Sequence, residues 1–159
     1  MMTWGSLHRS KPRKAGLWPA RAKACSLAGH LRLGKLIALY DDNRISLAGT
    51  TSLSFTEHVA LRFAAYGWQV QRVSDGNDLE AIERAIRMAQ GVEDQPSLIL
   101  VRTIIGYGAP HRQNTFEAHG SPLGPDELKA AKEALGWPAE PAFHLPDEAV
   151  ANFRKAVEN

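Results

Sequence analysis

The chain has 159 residues, 44% of them hydrophobic, and carries 19 lysines and arginines against 17 aspartates and glutamates for a formal net charge of +2. That size buries one modest core, so the sequence reads as a single domain or a piece of a larger one rather than as two domains. No apolar run approaches the roughly 18 residues that cross a bilayer, and the one cysteine, Cys25, forms no internal disulfide; a membrane partner and a secreted disulfide scaffold are both disfavoured, and a reducing compartment, the cytoplasm, fits best.

In chain order, the first feature is a basic stretch. Arg9, Lys11, Arg13, Lys14, Arg21 and Lys23 fall within residues 1–24 with no acid among them, while the remainder holds 13 basic and 17 acidic residues. A nucleic-acid partner would rest wholly on this stretch, because the mildly acidic body lacks the basic face that counterion release requires, and none is expected. Residues 1–23 are expected to be irregular. They admit three readings: an organellar presequence, which Pro12, Gly16 and Pro19 spoil as an amphipathic helix; a basic tail for an anionic partner; or foreign sequence joined where a gene has been cut or shifted in frame. The third is the expectation here.

A helical pattern runs from Ala20 to Leu33 through Leu27 and Leu31, with Gly34 as its stop. Lys35 to Tyr40 is a short β run, followed by a polar loop from Asn43 to Ser54. Thr56 is the expected N-cap of a helix carrying Val59, Ala60, Phe63 and Ala64 and ending at Gly67. Trp68 to Val73 alternates as a strand does. Asp75-Gly-Asn-Asp78 is a turn that opens a helix through Leu79, Ile82, Ile86 and Met88 to Gly91. Ser97 to Arg102 is the most apolar strand and suits a central position. This order predicts an α/β fold: a three-layer arrangement with a parallel sheet and helices on both faces. From Thr103 to Gly124 no periodicity holds, as in a binding loop. Pro125 starts a helix to Leu135, and Pro146 starts a last one.

The chemistry sits where strands end. Asp41, Asp42 and Asn43 follow an apolar strand, at the position where open α/β sheets bind ligands, and their hard oxygens suit a phosphate-bound magnesium ion. The same residues read equally as a solvated turn. Thr103-Ile-Ile-Gly-Tyr-Gly108 puts Ile104 and Ile105 at the mouth of the third strand and then removes side chains so that backbone and ligand can approach; without a ligand they are the end of a core strand. His119, in His119-Gly-Ser-Pro-Leu123, is suited to proton movement near neutral pH, or is a solvated loop histidine. His111 and Arg112 stand in the same loop and could meet an anion, whereas His30, His58 and His144 read as packing or surface residues.

Taken in order, Ser26-Leu-Ala-Gly-His30, Asp41-Asp-Asn43, Ala65-Tyr-Gly-Trp68, Asp75-Gly-Asn77, Ile105-Gly-Tyr-Gly108 and His119-Gly-Ser-Pro-Leu123 resemble the thiamine diphosphate-binding half of transketolase. The resemblance covers about 85% of the chain, residues 24–159, and implies the later part of a pyrophosphate-binding domain. It implies thiamine diphosphate and Mg²⁺ as cofactors and sugar phosphates as substrates, with a two-carbon ketol unit transferred between them. In that frame Asn43 gives its side-chain oxygen and Ile45 its main-chain oxygen to the metal, Leu47 and Ile105 press on the thiazolium ring, and His119 serves the sugar and its protons. Two departures stand out. The family's Gly-Asp-Gly step, roughly 30 residues before Asn43 and source of the main carboxylate ligand, does not occur anywhere in this chain; Arg13 and Lys14 stand near that position. An acidic residue expected before Ser26 is replaced near Lys23. Loss of a hard anionic ligand beside added positive charge weakens metal–diphosphate binding by roughly several kcal/mol. The expectation is therefore a truncated transketolase that is inactive alone, since the family builds its sites between two subunits; the alternative is a non-catalytic assembly piece that pairs with a separate C-terminal transketolase subunit.

Overall fold

A computed structural model describes residues 17–157. Strand Ser97–Val101 is buried at every position, so its backbone groups must find partners inside the protein. They find them on both sides. In chain order the elements are helix α1 (Leu17–His30), strand β1 (Ile37–Asp41), strands β2 (Ile45–Ser46) and β3 (Gly49–Thr50), helix α2 (Val59–Ala65), strand β4 (Gln69–Val73), helix α3 (Leu79–Gln90), strand β5 (Ser97–Val101), helix α4 (Pro125–Ala134) and helix α5 (Asp147–Val157). β5 lies in the centre of a three-stranded sheet ordered β1-β5-β4. Both pairings are parallel and in step: Ser97 faces Ile37 and Gln69, and Val101 faces Asp41 and Val73. Parallel neighbours need crossover connections, which α2 and α3 supply.

Alternation along the strands sorts the core. Ile99 and Val101 pack with Val73, Ile37 and the α3 residues Ala81, Ile82, Ala85, Ile86 and Ala89. Leu98 and Leu100 point to the other face and are buried as well. Beside that core, Trp68 is held by Phe63 edge-on at 5.1 Å and donates its indole N–H to the Cys25 carbonyl at 2.8 Å. Two glycines are set by close approach: a Cβ on Gly29 would run into the Tyr66 carbonyl and one on Gly34 into the Glu93 backbone.

The chain divides into two compact units. Of the described residues, one comprises 17–41 and 57–102, and the other 42–56 with 103–157. The reason is that the segments following β1 and β5 carry structure of their own. The polar loop after β1 contains the antiparallel pair β2–β3, Ile45 facing Thr50 and Ser46 facing Gly49, and a 3₁₀ turn at Thr51–Leu53.

Other expectations shift locally. Residues 17–23, expected to be irregular, are the first half of α1; Pro19 is tolerated because the first turn of a helix leaves its N–H groups unpaired anyway. The remainder of the N-terminal stretch lies outside the described residues. α2 begins at Val59 and its N-cap is His58, whose Nδ1 accepts the Leu61 N–H at 3.2 Å, rather than Thr56. Asp78 caps α3 as expected, accepting from the Ala81 N–H at 2.8 Å. Leu79 and Met88 are 76% and 59% exposed, leaving Ile82, Ala85, Ile86 and Ala89 to face the sheet. Truncating Ile99 to alanine is expected to cost about 2–5 kcal/mol by urea unfolding, while Leu79→Ala stays within about 0.5 kcal/mol.

Candidate functional site

The unit formed by residues 42–56 and 103–157 contains all five residues singled out as cofactor contacts. Its first segment opens on a tight turn. Asn43 Oδ1 accepts the Ile45 N–H at 2.8 Å, the local side-chain bond that makes asparagine a turn former. Arg44 sits at φ 62° and its carbonyl accepts the Thr51 N–H at 2.9 Å; its guanidinium lies 3.8 Å from Asp42. β2 and β3 then close on Leu47-Ala48. Ser46 Oγ donates to the Gly49 carbonyl at 3.0 Å, tightening the hairpin. Leu47 is left at the tip, 75% exposed.

The second segment, without repeating pattern in the sequence, is held by a series of short bonds. Tyr107 N–H donates to the Ile104 carbonyl, Ala109 N–H to Gly106, and Asn114 N–H to Ile105 at 2.8 Å. Gly106 and Gly108 adopt φ of 65° and 86°; a Cβ on Gly106 would lie 2.8 Å from the Ala118 methyl, and one on Gly108 would meet the Leu135 side chain at 2.6 Å. These two positions therefore exclude other residues on both backbone and space grounds. A 3₁₀ turn at Phe116–Ala118 delivers His119, whose N–H donates to the Phe116 carbonyl at 2.9 Å.

Leu47 and His119 meet in the wall of one hollow of about 340 Å³, together with Arg112, Phe116, Glu117 and Ser121. Asn43 and Ile45 belong to the turn that precedes this hairpin tip, and Ile105 to the glycine turn; none of the three lines the hollow. Arg112 donates from Nη1 to the Pro122 carbonyl at 3.0 Å and stands 3.9 Å from the Glu117 carboxylate.

Glu127 escaped the sequence reading. It is the third residue of α4, where an acid ordinarily reads as a complement to the helix dipole. Instead its Oε1 accepts the backbone N–H groups of His111 at 2.8 Å and Arg112 at 3.2 Å, and its Oε2 meets His111 Nδ1 at 2.8 Å. The His111 backbone bond, then its ring bond, holds the Glu127 carboxyl below the usual carboxylate range. Nothing in the residue spacing announces such a reach across from helix to loop.

As a metal set, the Asn43 amide and the Ile45 carbonyl are neutral hard oxygens on one turn. They fit a share of a magnesium shell that a diphosphate and a carboxylate would complete. Among the described residues no group of three His, Cys, Asp or Glu side chains gathers as a metal site.

The family description that matches residues 20–159 is the transketolase thiamine diphosphate-binding domain. The chain belongs to that family. It is 54% identical over 137 residues to a transketolase of Nostoc sp., and 52% identical over 137 residues to that of Geobacillus stearothermophilus, in each case across 86% of this chain and 20% of the relative. Among solved structures, the Pichia stipitis transketolase in complex with sedoheptulose-7-phosphate superimposes with a TM-score of 0.83 at 41% identity, over 89% of this chain and 21% of that one. The Leishmania mexicana transketolase gives 0.79 at 38% identity, over 86% and 20%. The chain thus spans about a fifth of the length of the transketolases it matches. No described helix is long and apolar enough to cross a membrane.

One pH effect follows from Glu127. Because its folded pKa is lowered, its support of the loop is fully present above the unfolded carboxyl value of about 4.3 and is lost as pH falls through the lower folded value. NMR shifts of the His111 and Arg112 amides are expected to move together in that acidic window, and to stay flat in Glu127→Gln.

Proposed function

We propose that this chain serves a transketolase-type reaction, the transfer of a two-carbon ketol unit from a ketose phosphate to an aldose phosphate, as the later part of a thiamine diphosphate-binding domain. The single observation that supports this most is the hollow that Leu47 shares with His119, in a chain whose relatives are transketolases at more than half identity. When bound, thiamine diphosphate supplies the acidic ring carbon that takes up the two-carbon unit.

The chain's own residues do the remaining work in this reading. Asn43 Oδ1 and the Ile45 carbonyl would give two oxygens to Mg²⁺. Leu47 and Ile105 present apolar surface to the ring and keep water from it. His119 holds a sugar hydroxyl or phosphate and moves a proton at its imidazole, with Arg112 beside it for an anionic end. The Asn43 amide and the Ile45 carbonyl would make up only a share of a magnesium shell, and in this reading a partner polypeptide, either a second copy or a separate C-terminal transketolase subunit, completes the site.

Two measurements test this. With residues 24–159 placed in the matching segment of the Geobacillus stearothermophilus transketolase, the chimera is expected to transfer ketol units, and His119→Ala to lower kcat/KM by about 10²–10⁴. An active chimera indifferent to His119→Ala would remove the assignment. For the chain alone, calorimetric titration with thiamine diphosphate and Mg²⁺ is expected to show no micromolar binding, and tight binding would overturn the need for a partner.

A further inference from the structure

The loop that supplies Arg112 to the hollow has no secondary structure to fix it. Its geometry comes from acceptors. Thr115 Oγ1 donates to the Arg112 carbonyl at 2.7 Å, and the 112 and 113 N–H groups reach back to the Ala109 carbonyl at 3.3 and 3.0 Å. Beside the Asn114 N–H bond to the Ile105 carbonyl and the Gly108 N–H bond to Gln113 Oε1, a further tie is Glu127, whose carboxylate takes the N–H groups of His111 and Arg112 and the ring of His111. The Glu127 side chain is only 10% exposed, whereas the His111 ring that covers it is 81% exposed. Through these three bonds the carboxylate ties the loop backbone to α4. What it fixes is the peptide bearing Arg112, a cation in the wall of the hollow beside His119 and Ser121.

We propose that Glu127 is a positioning residue for anion recognition: from outside the hollow it sets the Arg112 backbone, and so aims the guanidinium at the phosphate end of a sugar phosphate held beside His119. Glu127 does not itself touch the ligand. The inference rests on the reading that this hollow takes a sugar phosphate, and adds which residue sets its preference for the charged end. A site whose cation is displaced by even an ångström loses much of its grip, because guanidinium bonding to phosphate is directional.

The full chain, ¹⁵N-labelled, can be titrated with inorganic phosphate while the Arg112 Nε–H and the His119 ring are followed by NMR. Saturable shifts of both are expected for the native sequence. Glu127→Asp keeps the charge but is one methylene too short to reach all three donors, and is expected to weaken phosphate binding about tenfold. Glu127→Gln keeps the length and one acceptor oxygen for the two backbone N–H groups, and is expected to bind within about threefold of the native chain. A purely structural role would change the dispersion of the β5 amides, which should stay in place in both variants. If phosphate moves the native resonances and Glu127→Asp binds equally well, the positioning role is wrong while the hollow's reading stands. If phosphate leaves Arg112 and His119 unmoved in the native chain, the sugar-phosphate reading fails and the positioning role falls with it.

Discussion

A strand with no face and no edge open to water governs the sheet. Ser97 to Val101 can keep its amides and carbonyls satisfied only by sharing them with a strand on either side, and β1 and β4 meet that demand residue for residue. Running all three in one direction has a geometric result: Asp41, Val73 and Val101 finish at one level, so the segments that follow β1 and β5 leave from the same end of the sheet. Those two segments carry Asn43, Ile45, Leu47, Ile105 and His119. The order of the strands thus brings chemistry far apart in the chain into one compact unit.

Within that unit, irregular backbone replaces helix and strand as the means of holding side chains. Each turn is closed by an acceptor close at hand: Asn43 for Ile45, Arg44 for Thr51, Ile105 for Asn114, Glu127 for His111 and Arg112. Glycines 106 and 108 let the second segment pass against Ala118 and Leu135 where any side chain would collide. Such a construction concentrates functional groups on loops while leaving little of the loop backbone unpaired.

How much of this was legible follows from the physics of each piece. β5 and α3 were plain because burial writes a period into sequence, and Asp78 because a capping aspartate stands where the period starts. The helix face was read too broadly: Met88 lies roughly 200° round from Ile86 and so looks away from the sheet. β2 and β3 were invisible, since two residues carry no period. His58 was passed over as a cap because threonine is the commoner one, and its ring acts only through a nitrogen whose tautomer is set in the fold. Glu127 was hidden for a deeper reason. Its partners lie 15 and 16 positions away, and a bond from side chain to a distant backbone leaves no mark on spacing. The proposed cofactor contacts came from resemblance of short blocks, which names residues without saying which of them share a wall.

Among the described residues, β1 and β4 each pair on one side only, and the two outer borders are not alike. β4 reads Gln-Val-Gln-Arg-Val, a polar rim that discourages adhesion, whereas Ile-Ala-Leu-Tyr in β1 makes a more apolar border. Any extra strand laid alongside β1 in the common direction would stop level with Asp41.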